Sequence, residues 1–348
     1  MIVPLLVLWL GVGLACGAGA ETPARKPDAI SRQPPKRARV LIVKDPAAVH
    51  AFNPQPDRVQ AMVSRGVRGL TGQTTDIAAW RSLVSTQDTV GIKVYCSPGP
   101  TSGTRRPVVA AVIEGLLAAG LPPRQIVVWD KREVDLRLAN YFELADRYEV
   151  RVAASAEAGW DERTFYDAAL IGNLVWGDLE FGRKGEGVGR KSYVSRLVTR
   201  ELTKIISIAP LLNHNDAGVT GHLYSLALGS VDNTIRFESD RERLNVAVPE
   251  IVALPVLGDR VVLNIVDALI AQYQGEQRSL LHYSAILNEL RFSTDPVALD
   301  ILSLAELDRQ RQSAKVPYEP FKLDLYHNAS LLEIGISDRQ RIKLEILP

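Results

Sequence analysis

The fold is decided by the stretch at residues 204–237, which reads KIISIAPLLNHNDAGVTGHLYSLALGSVDNTIRF. Its apolar run at 205–212 stops at an Asn-His-Asn-Asp sequence, and a glycine-containing turn then leads into a second apolar segment. The run predicts a buried strand, and residues 220–228 predict a helix after it. Because polar side chains are packed densely against the end of that strand, we expect part of a functional site here.

A strand–helix–strand unit precedes this stretch, at residues 90–130. Residues 90–95 (VGIKVY) predict a strand, and a loop rich in Gly, Pro, Ser and Thr leads to Pro107, which favours the first turn of a helix. The helix ends at Gly120, and residues 126–129 (IVVW) predict the next strand. Two strands joined by a helix pair in parallel with a right-handed crossover, so the unit indicates an α/β fold.

Strands and helices interleave along the rest of the chain. Further strands are predicted at 39–43, 150–153, 204–209, 260–266, 289–292 and 343–347, and helices at 55–70, 78–84, 136–147, 193–201, 220–228, 296–309 and part of 264–273. This interleaving predicts a mostly parallel central sheet with helices on both faces.

Length and composition bound the class of protein. The chain has 348 residues, of which 46% are hydrophobic and 23% charged, as in ordinary globular proteins. Pro and Gly punctuate the ends of elements without marking a domain boundary, so residues 39–348 are predicted to form a single α/β domain. The formal net charge of +1 provides no basic field for nucleic acid. The expected partner is a small-molecule ligand.

The N-terminal residues have the layout of an export signal. An apolar run at 2–10 precedes small residues that end in Ala18-Gly19-Ala20, although no Lys or Arg precedes the run. The pattern predicts a signal peptide at 1–20, a flexible tether at 21–38, and a periplasmic or extracellular mature chain without an integral membrane span. The alternative is a lipid-modified Cys16, which would make the protein a membrane-anchored lipoprotein.

Cysteine content restricts the cofactors. Cleavage after Ala20 would leave Cys96 as the sole thiol, and one cysteine cannot form an internal disulfide or hold an iron–sulfur cluster. An iron–sulfur cluster is therefore not expected. A divalent metal stays open as a cofactor.

Polar residues recur where the predicted strands end. Lys93 lies within one strand, Asp130 follows the next, and His214 follows the apolar run at 205–212. Ligands of open α/β sheets bind outside the carboxyl ends of the strands, so these side chains are expected at one rim, together with Asp267 and Asp295. We predict Lys93, His214 and Asp130 as catalytic, because a buried ammonium is costly without a partner and an imidazole can act as acid or base.

The loop at 96–106 predicts an anion site. It leads into a helix N-terminus, where backbone amides favour negative charge, and Arg105 and Arg106 add positive charge. It lacks G-x-G-x-x-G, so no dinucleotide fingerprint is present, and the glycine-rich segment at 185–192 has Arg190 where a Walker loop needs glycine. The predicted ligand-binding or anion-binding residues are Thr104, Arg105, Arg106, Asn213, Asp267 and Asp295.

Some of these carboxylates have other interpretations. Asp295 directly before Pro296 is typical of a helix N-cap, and Asp130 and Asp267 also suit turns. Asp216, Asp267 and Asp295 are alternatively candidates for holding a divalent cation. His222, the second histidine of the stretch, is predicted to be structural because no metal-binding spacing links it to His214.

Several segments resemble the bacterial and archaeal domain of unknown function 362 family. They lie at 90–120, 126–130 (IVVWD), 204–237, 262–269 (VLNIVDAL) and 291–300 (RFSTDPVALD), and they cover nearly the whole chain after the tether. The family usually has Lys-Thr-His near the first stretch, whereas this chain has Leu212-Asn213-His214, so only His214 carries over. Some members have ferredoxin-like cysteines that this chain lacks. The resemblance implies matching site positions at Lys93, Thr104, Asp130, His214, Gly218, Thr220, Asp295 and Asp300.

These observations predict an exported enzyme that acts on a small anionic ligand at the carboxyl rim. The arginines of the loop would hold the anion, Lys93 would stabilise developing negative charge, and His214 with Asp130 or Asp267 would form an acid–base pair. A divalent cation at the rim would make the chemistry metal-assisted. The competing function is a non-catalytic periplasmic ligand-binding or accessory protein that uses the same cleft.

Overall fold

A computed structural model describes residues 37–168, 190–238 and 240–347. The predicted signal peptide, nearly all of the predicted tether, Cys16 and the glycine-rich segment at 185–189 lie outside these ranges. Within the described ranges, no helix combines the length and the apolar character that crossing a membrane requires.

The strands in the described ranges are β1 (Ala38–Lys44), β2 (Val49–His50), β3 (Asn53–Pro54), β4 (Val90–Lys93), β5 (Ile126–Asp130), β6 (Arg151–Ala154), β7 (Trp160–Asp167), β8 (Lys191–Ser195), β9 (Lys204–His214), β10 (Gly218–Val219), β11 (Val261–Gln272), β12 (Ser284–Ser293) and β13 (Ile342–Leu347).

The α-helices are α1 (Pro56–Thr71), α2 (Asp76–Arg81), α3 (Gly99–Ser102), α4 (Arg106–Ala118), α5 (Glu133–Leu138), α6 (Tyr141–Tyr148), α7 (Ser155–Ala158), α8 (His222–Ser230), α9 (Ile235–Glu238), α10 (Arg241–Val252), α11 (Pro296–Ser313) and α12 (Asp324–Leu331). A π-helical turn spans Leu197–Glu201, and 3-10 turns span Pro123–Gln125, Gly258–Arg260, Leu281–Tyr283 and Arg339–Arg341.

One large sheet organises these elements. Its strand order is β13-β1-β12-β11-β9-β4-β5-β6, and the short β10 pairs with β9. In this order every neighbouring pair is parallel except the two that involve β12. The predicted α/β class with a mostly parallel sheet is confirmed, and the β4–α4–β5 unit pairs in parallel as its sequence predicts.

Helices cover both faces of the sheet. Along β5, Val127 and Trp129 belong to one hydrophobic layer and Ile126 and Val128 to the other, because successive side chains of a strand point to opposite faces. The first layer includes α8, α10, α11 and α12, and the second includes α1, α2, α4 and α6. The two layers bury the apolar runs that the sequence shows at the strands.

Some predicted elements differ from the structure. Residues 264–272 are part of strand β11 and not helical, since a continuous apolar run that is buried on both faces has no helical period to distinguish it. Residues 193–195 end strand β8, where a helix was predicted. The helix predicted at 136–147 is two helices, separated at Asn140, whose φ of 60° is left-handed.

Strand β12 runs against its neighbours in the sheet. Asn264 of β11 pairs with Ser293, and Gln272 pairs with Ser284, so β12 ends where β11 begins. Asp295 therefore lies at the edge opposite the carboxyl ends of β4, β5, β9 and β11. The prediction that Asp295 joins a common rim is wrong, because it assumed that all strands are parallel.

Asp295 is instead the N-cap of α11. Its carboxylate accepts hydrogen bonds from the backbone N–H groups of Ala298 and Ile336, each at 2.9 Å. Capping satisfies donors that a helix start leaves unpaired. The N-cap interpretation is confirmed, and Asp295 is removed from the candidate ligand-binding set.

Candidate functional site

A buried ion pair lies where β4 and β5 end side by side. The Lys93 ammonium donates to Asp130 Oδ1 at 2.8 Å, to the Val94 carbonyl oxygen at 2.6 Å and to Ser225 Oγ at 3.0 Å. The Lys93 side chain is 0% exposed and that of Asp130 7%. The structure brings these two predicted catalytic residues together, because strand neighbours in register place their carboxyl ends at the same edge.

The Lys93 ammonium binds groups of the protein and does not contact a ligand. An ammonium has three donors, and all three are used inside the protein. The predicted direct contact between Lys93 and a developing negative charge is therefore not supported by the geometry. Lys93 is a positioning residue that holds Asp130.

Asp130 joins the ion pair to a surface cleft. Besides Lys93, its carboxylate accepts from the backbone N–H groups of Cys96 and Lys131, each at 2.8 Å. The Cys96 side chain is a further hydrogen-bond partner of the carboxylate. Asp130 also lines the cleft, so a ligand bound there lies next to this residue.

The cleft has a volume of about 110 Å³ and lies between the ends of β4 and β5 and helix α8. Its basic lining residues are Lys131 and Arg132, and its acidic ones are Asp130, Asp135 and Glu238. The remaining lining residues are Tyr95, Ser97, Tyr224, Ser225, Leu228, Gly229 and Gln277. Two cations, three carboxylates, several hydroxyls and two aromatic rings thus border a small polar volume.

Two tyrosines form a wall of this cleft. The ring centroids of Tyr95 and Tyr224 lie 6.5 Å apart at an interplanar angle of 67°. Burial raises the pKa of both phenols, and the Asp130 carboxylate raises the pKa of Tyr95 further. Both hydroxyls therefore stay protonated near neutral pH, and that of Tyr224 donates to Glu238 Oε1 at 3.4 Å.

His214 lies behind the cleft. Its ring packs against Tyr224 at a centroid distance of 4.3 Å, and it is not among the residues that line the cleft. Its Nδ1 accepts from the backbone N–H groups of Asp216 and Ala217 at 3.2 and 3.1 Å, which places the proton of the neutral ring on Nε2. Burial lowers the pKa of His214, with Glu276 opposing the shift. The structure does not bring His214 into contact with Asp130, so the predicted acid–base pair is absent.

Arg105 and Asp267 form a buried ion pair with each other. The backbone N–H of Arg105 donates to Asp267 Oδ2 at 2.9 Å, and its guanidinium lies 3.1 Å from Asp267 Oδ1. The guanidinium also donates to the Ile270 carbonyl oxygen at 3.0 Å. The anion that the sequence predicts at the start of α4 is thus supplied by the protein itself, and both residues are buried.

The other predicted binding residues also have internal partners. Arg106 faces away from the cleft and pairs with Glu143 at 3.3 Å. Thr104 Oγ1 accepts from the backbone N–H of Tyr95 and donates to the Ile208 carbonyl oxygen. Asn213 Oδ1 accepts from the backbone N–H of Glu276, and Asn213 lies within β9, which extends past the predicted strand end. These residues shape the loops around the site without lining the cleft.

The three candidate metal ligands lie apart. Asp216 is near Arg241 at 3.7 Å, Asp267 pairs with Arg105, and Asp295 caps α11 at the opposite edge. Among the residues that the structure describes, no group of three or more His, Cys, Asp and Glu side chains is arranged to hold a metal ion. The predicted metal set is therefore not assembled.

Asp300 anchors the helix that forms the inner wall of the cleft. Its carboxylate accepts from the backbone N–H groups of His222 and Leu223 at 2.8 and 3.0 Å, the first turn of α8. Gly221, at φ 50°, makes this approach possible, because a Cβ there would lie 2.5 Å from Asp300 Oδ1. The neighbouring His222 is fully buried with Nδ1 2.8 Å from Ser207 Oγ, and burial lowers its pKa to about 3, in agreement with its predicted structural role.

Sequence reasoning missed most of the cleft lining. Tyr224 and Ser225 lie on the helix predicted in the opening stretch, but an apolar helix without a polar face gives no sign of which side faces a ligand. Lys131 and Arg132 directly follow Asp130, and this basic pair after a strand end is the one signal that could have pointed to them.

Comparisons with known proteins add no functional assignment. No protein-family model matches the sequence, and no curated protein matches it. A crystal structure of a Thermotoga maritima protein, a target of the Northeast Structural Genomics Consortium, is similar with a TM-score of 0.42 and 11% sequence identity. The similarity covers 76% of this chain and 60% of that chain. Function therefore has to be argued from the cleft itself.

Gly229 of α8 tests the packing of the cleft floor. A Cβ at this position would lie 2.2 Å from Lys93 Cε and 2.9 Å from Nζ. We expect Gly229→Ala to lower the free energy of unfolding by about 2 kcal/mol, because the clash outweighs the helix propensity that alanine adds. Chemical denaturation measures this. Ser230→Ala is the matched control on the same helix and should leave stability unchanged, because the Ser230 hydroxyl makes no hydrogen bond. Equal or higher stability of Gly229→Ala would show that α8 does not pack on Lys93.

Asp300 predicts a pH dependence of stability. Burial raises its folded-state pKa to about 7, whereas an unfolded Asp ionises near pH 4. Between these two pKa values the folded state holds a proton that the unfolded state has lost, so the free energy of unfolding falls as pH rises. The stability that the protonated Asp300 contributes is lost above about pH 7. Asp300→Asn cannot ionise. Between pH 5 and pH 8, the free energy of unfolding of the wild type should fall by about 3 kcal/mol more than that of Asp300→Asn.

Urea unfolding of the wild type and of Asp300→Asn across this pH range measures the difference. Parallel curves for the two proteins would contradict the assignment, since all other titrating groups are shared. A steeper fall for the wild type supports Asp300 as the ionisable anchor of α8.

Proposed function

We propose that this protein is an exported enzyme that performs acid–base chemistry on a small anionic ligand bound in the cleft between β4, β5 and α8. The observation that carries the proposal is the buried Lys93–Asp130 pair, whose Asp130 lines the cleft. A buried ion pair contributes little net stability, so its placement at a polar cleft favours a functional role.

Two cations support an anionic ligand. Lys131 and Arg132 line the cleft, and Arg132 is exposed at its mouth. The Lys131 ammonium donates to Thr234 Oγ1 at 2.8 Å, which fixes its position at the cleft. In this proposal Lys131 and Arg132 take the role that the sequence assigned to Arg105 and Arg106.

The proposed chemistry is a proton transfer. Asp130 accepts a proton from a ligand hydroxyl or acidic C–H, and the negative charge left on the ligand is stabilised by Lys131 and Arg132. The protonated hydroxyl of Tyr95 donates a hydrogen bond and orients the ligand. Lys93 holds the carboxylate in place during the transfer.

Family and compartment are part of the same proposal. The proposal is supported by the segments that resemble the domain of unknown function 362 family, since they include Lys93 and Asp130 of the buried pair and Asp300, which accepts from the first turn of α8. Export is supported by the apolar run and the small residues before residue 21. The intact mass of the mature chain distinguishes cleavage after Ala20 from acylation of Cys16.

The competing function is non-catalytic ligand binding in the same cleft. A binding protein needs Lys131 and Arg132 but does not need a proton acceptor, whereas the enzyme needs Asp130 for turnover. Substitution of Asp130 therefore separates the two functions, since Asn keeps the shape of the side chain but cannot take up the proton.

Retention of a small molecule tests the proposal. The full chain is purified, denatured and searched by mass spectrometry for released ligand, in parallel with thermal-shift assays against phosphate, citrate and glycerol 3-phosphate as probes. We expect Arg132→Ala to reduce retained ligand or probe affinity about tenfold, because one charge-assisted hydrogen bond contributes about 1.5 kcal/mol. Arg124→Ala is the matched control, an exposed arginine directly before β5 at the other edge.

Asp130→Asn decides between enzyme and binding protein. The released molecule is incubated with fresh protein and its conversion is followed by mass spectrometry. Conversion by the wild type and none by Asp130→Asn supports the enzyme. Retention without conversion supports the binding protein. Equal retention by the wild type, Arg132→Ala and Asp130→Asn would show that the cleft is not the site.

A further inference from the structure

Strand β13 forms one edge of the central sheet. It pairs in parallel with β1 over the register Ala38↔Ile342 to Val43↔Leu347, and no strand within the described ranges pairs with its outer side. Among the described residues, the backbone donors and acceptors on that side have no strand partner. Such an edge is a template for pairing with a further chain.

The exposed edge strand carries an apolar stripe. Leu344 is 46% exposed and Ile346 is 57% exposed. With Ile342 they alternate along the strand and share one face of the sheet, the face of the layer that contains α11 and α12. Lys343 and Glu345 occupy the opposite face, where they lie 2.8 Å apart. The helices of that layer therefore stop short of the last strand.

We propose that the outer side of β13 pairs with β13 of a second copy of this chain, antiparallel and centred on Leu344. In this register Leu344 faces Leu344, Ile342 faces Ile346, and Lys343 faces Glu345 across a two-fold axis perpendicular to the sheet. The two apolar stripes become one, and each lysine lies opposite a glutamate. The central sheet then continues through both copies, as a self-complementary interface requires.

The sequence of the strand selects this register over its neighbours. Centring the pair on Glu345 places Glu345 opposite itself, and centring it on Lys343 places Lys343 opposite itself, so both bring like charges together. A shift by one residue places the apolar stripe of one copy on the same face as the charged residues of the other. Only the arrangement centred on Leu344 matches both faces.

The charged side of the strand is already ordered for this pairing. The Arg39 guanidinium donates to both carboxylate oxygens of Glu345, at 3.2 and 2.7 Å, and to the carbonyl oxygens of Gly69 and Leu70. Glu345 is thereby held against β1, and Lys343 of a second copy can reach it without reordering the side chain. An interface of one six-residue strand is smaller than the roughly 1,600 Å² of a standard interface, so the dimer is weak and reversible.

The occupant is a second copy, and not the N-terminal segment of the same chain or an unrelated protein, because the strand is complementary to itself in charge and shape. The inference is independent of the proposed function, since β13 lies at the end of the sheet remote from β4 and β5. Its test has a different readout from the ligand assays.

Sedimentation equilibrium of the full chain over a wide concentration range tests the proposal. We expect a reversible monomer–dimer equilibrium, and at least a tenfold weaker association for Leu344→Lys, which places two ammonium groups together at the two-fold axis. Leu331→Lys is the matched control, because Leu331 is 80% exposed and lies outside β13. A monomer at all concentrations would overturn the proposal, as would a dimer that Leu344→Lys leaves unchanged or one that Leu331→Lys weakens equally.

A charge exchange tests the register. Lys343→Glu alone places glutamates opposite each other and should weaken the dimer, and the double variant Lys343→Glu with Glu345→Lys should restore it. Unchanged association of the single variant, or failure of the double variant to recover, would overturn the register centred on Leu344. Circular dichroism of each variant verifies that the fold is retained, which matters most for Glu345→Lys because Glu345 is half-buried against Arg39.

Discussion

The burial of one charged pair, Lys93 with Asp130, imposes the constraint on which the site depends. An ammonium without exposure to water needs a hydrogen-bond partner for each donor, and an unpaired buried charge would cost several kcal/mol. The partners come from three places: the adjacent strand supplies Asp130, the strand's own end supplies the Val94 carbonyl, and α8 supplies Ser225. The close approach of α8 in turn requires glycine at position 229.

The stretch at 204–237 contributes two of the structures that surround this pair. Strand β9 lies next to β4, and α8 lies over the ammonium with Tyr224 in the cleft wall. The start of α8 is held by Asp300, which is supplied by α11 from 78 positions away in sequence. The polar residues that first mark the stretch, Asn213 and His214, end strand β9, and His214 packs against Tyr224 behind the cleft wall instead of facing a ligand.

The sequence was informative about local units and uninformative about strand direction. The β4–α4–β5 unit follows from apolar runs, a loop and a proline, and it places Lys93 and Asp130 at neighbouring strand ends. The antiparallel course of β12 leaves no mark in its own residues, and this reversal separates Asp295 from the rim. The Arg105–Asp267 pair joins residues 162 positions apart, and no local pattern reveals that a predicted anion site is already filled. The cleft tyrosines were missed because buried aromatic residues resemble core.

A double-mutant cycle at the ion pair, read by both stability and ligand conversion, is the most direct test of this account. Lys93→Met and Asp130→Asn are measured singly and together. Each single substitution should lower the free energy of unfolding by about 3–5 kcal/mol, because it leaves a buried charge unpaired, whereas the double variant should recover most of that loss. The double variant should nevertheless fail to convert the ligand, because the proton acceptor Asp130 is gone. Additive losses of stability, or a stable double variant that converts the ligand as the wild type does, would contradict the claim that this pair builds the site.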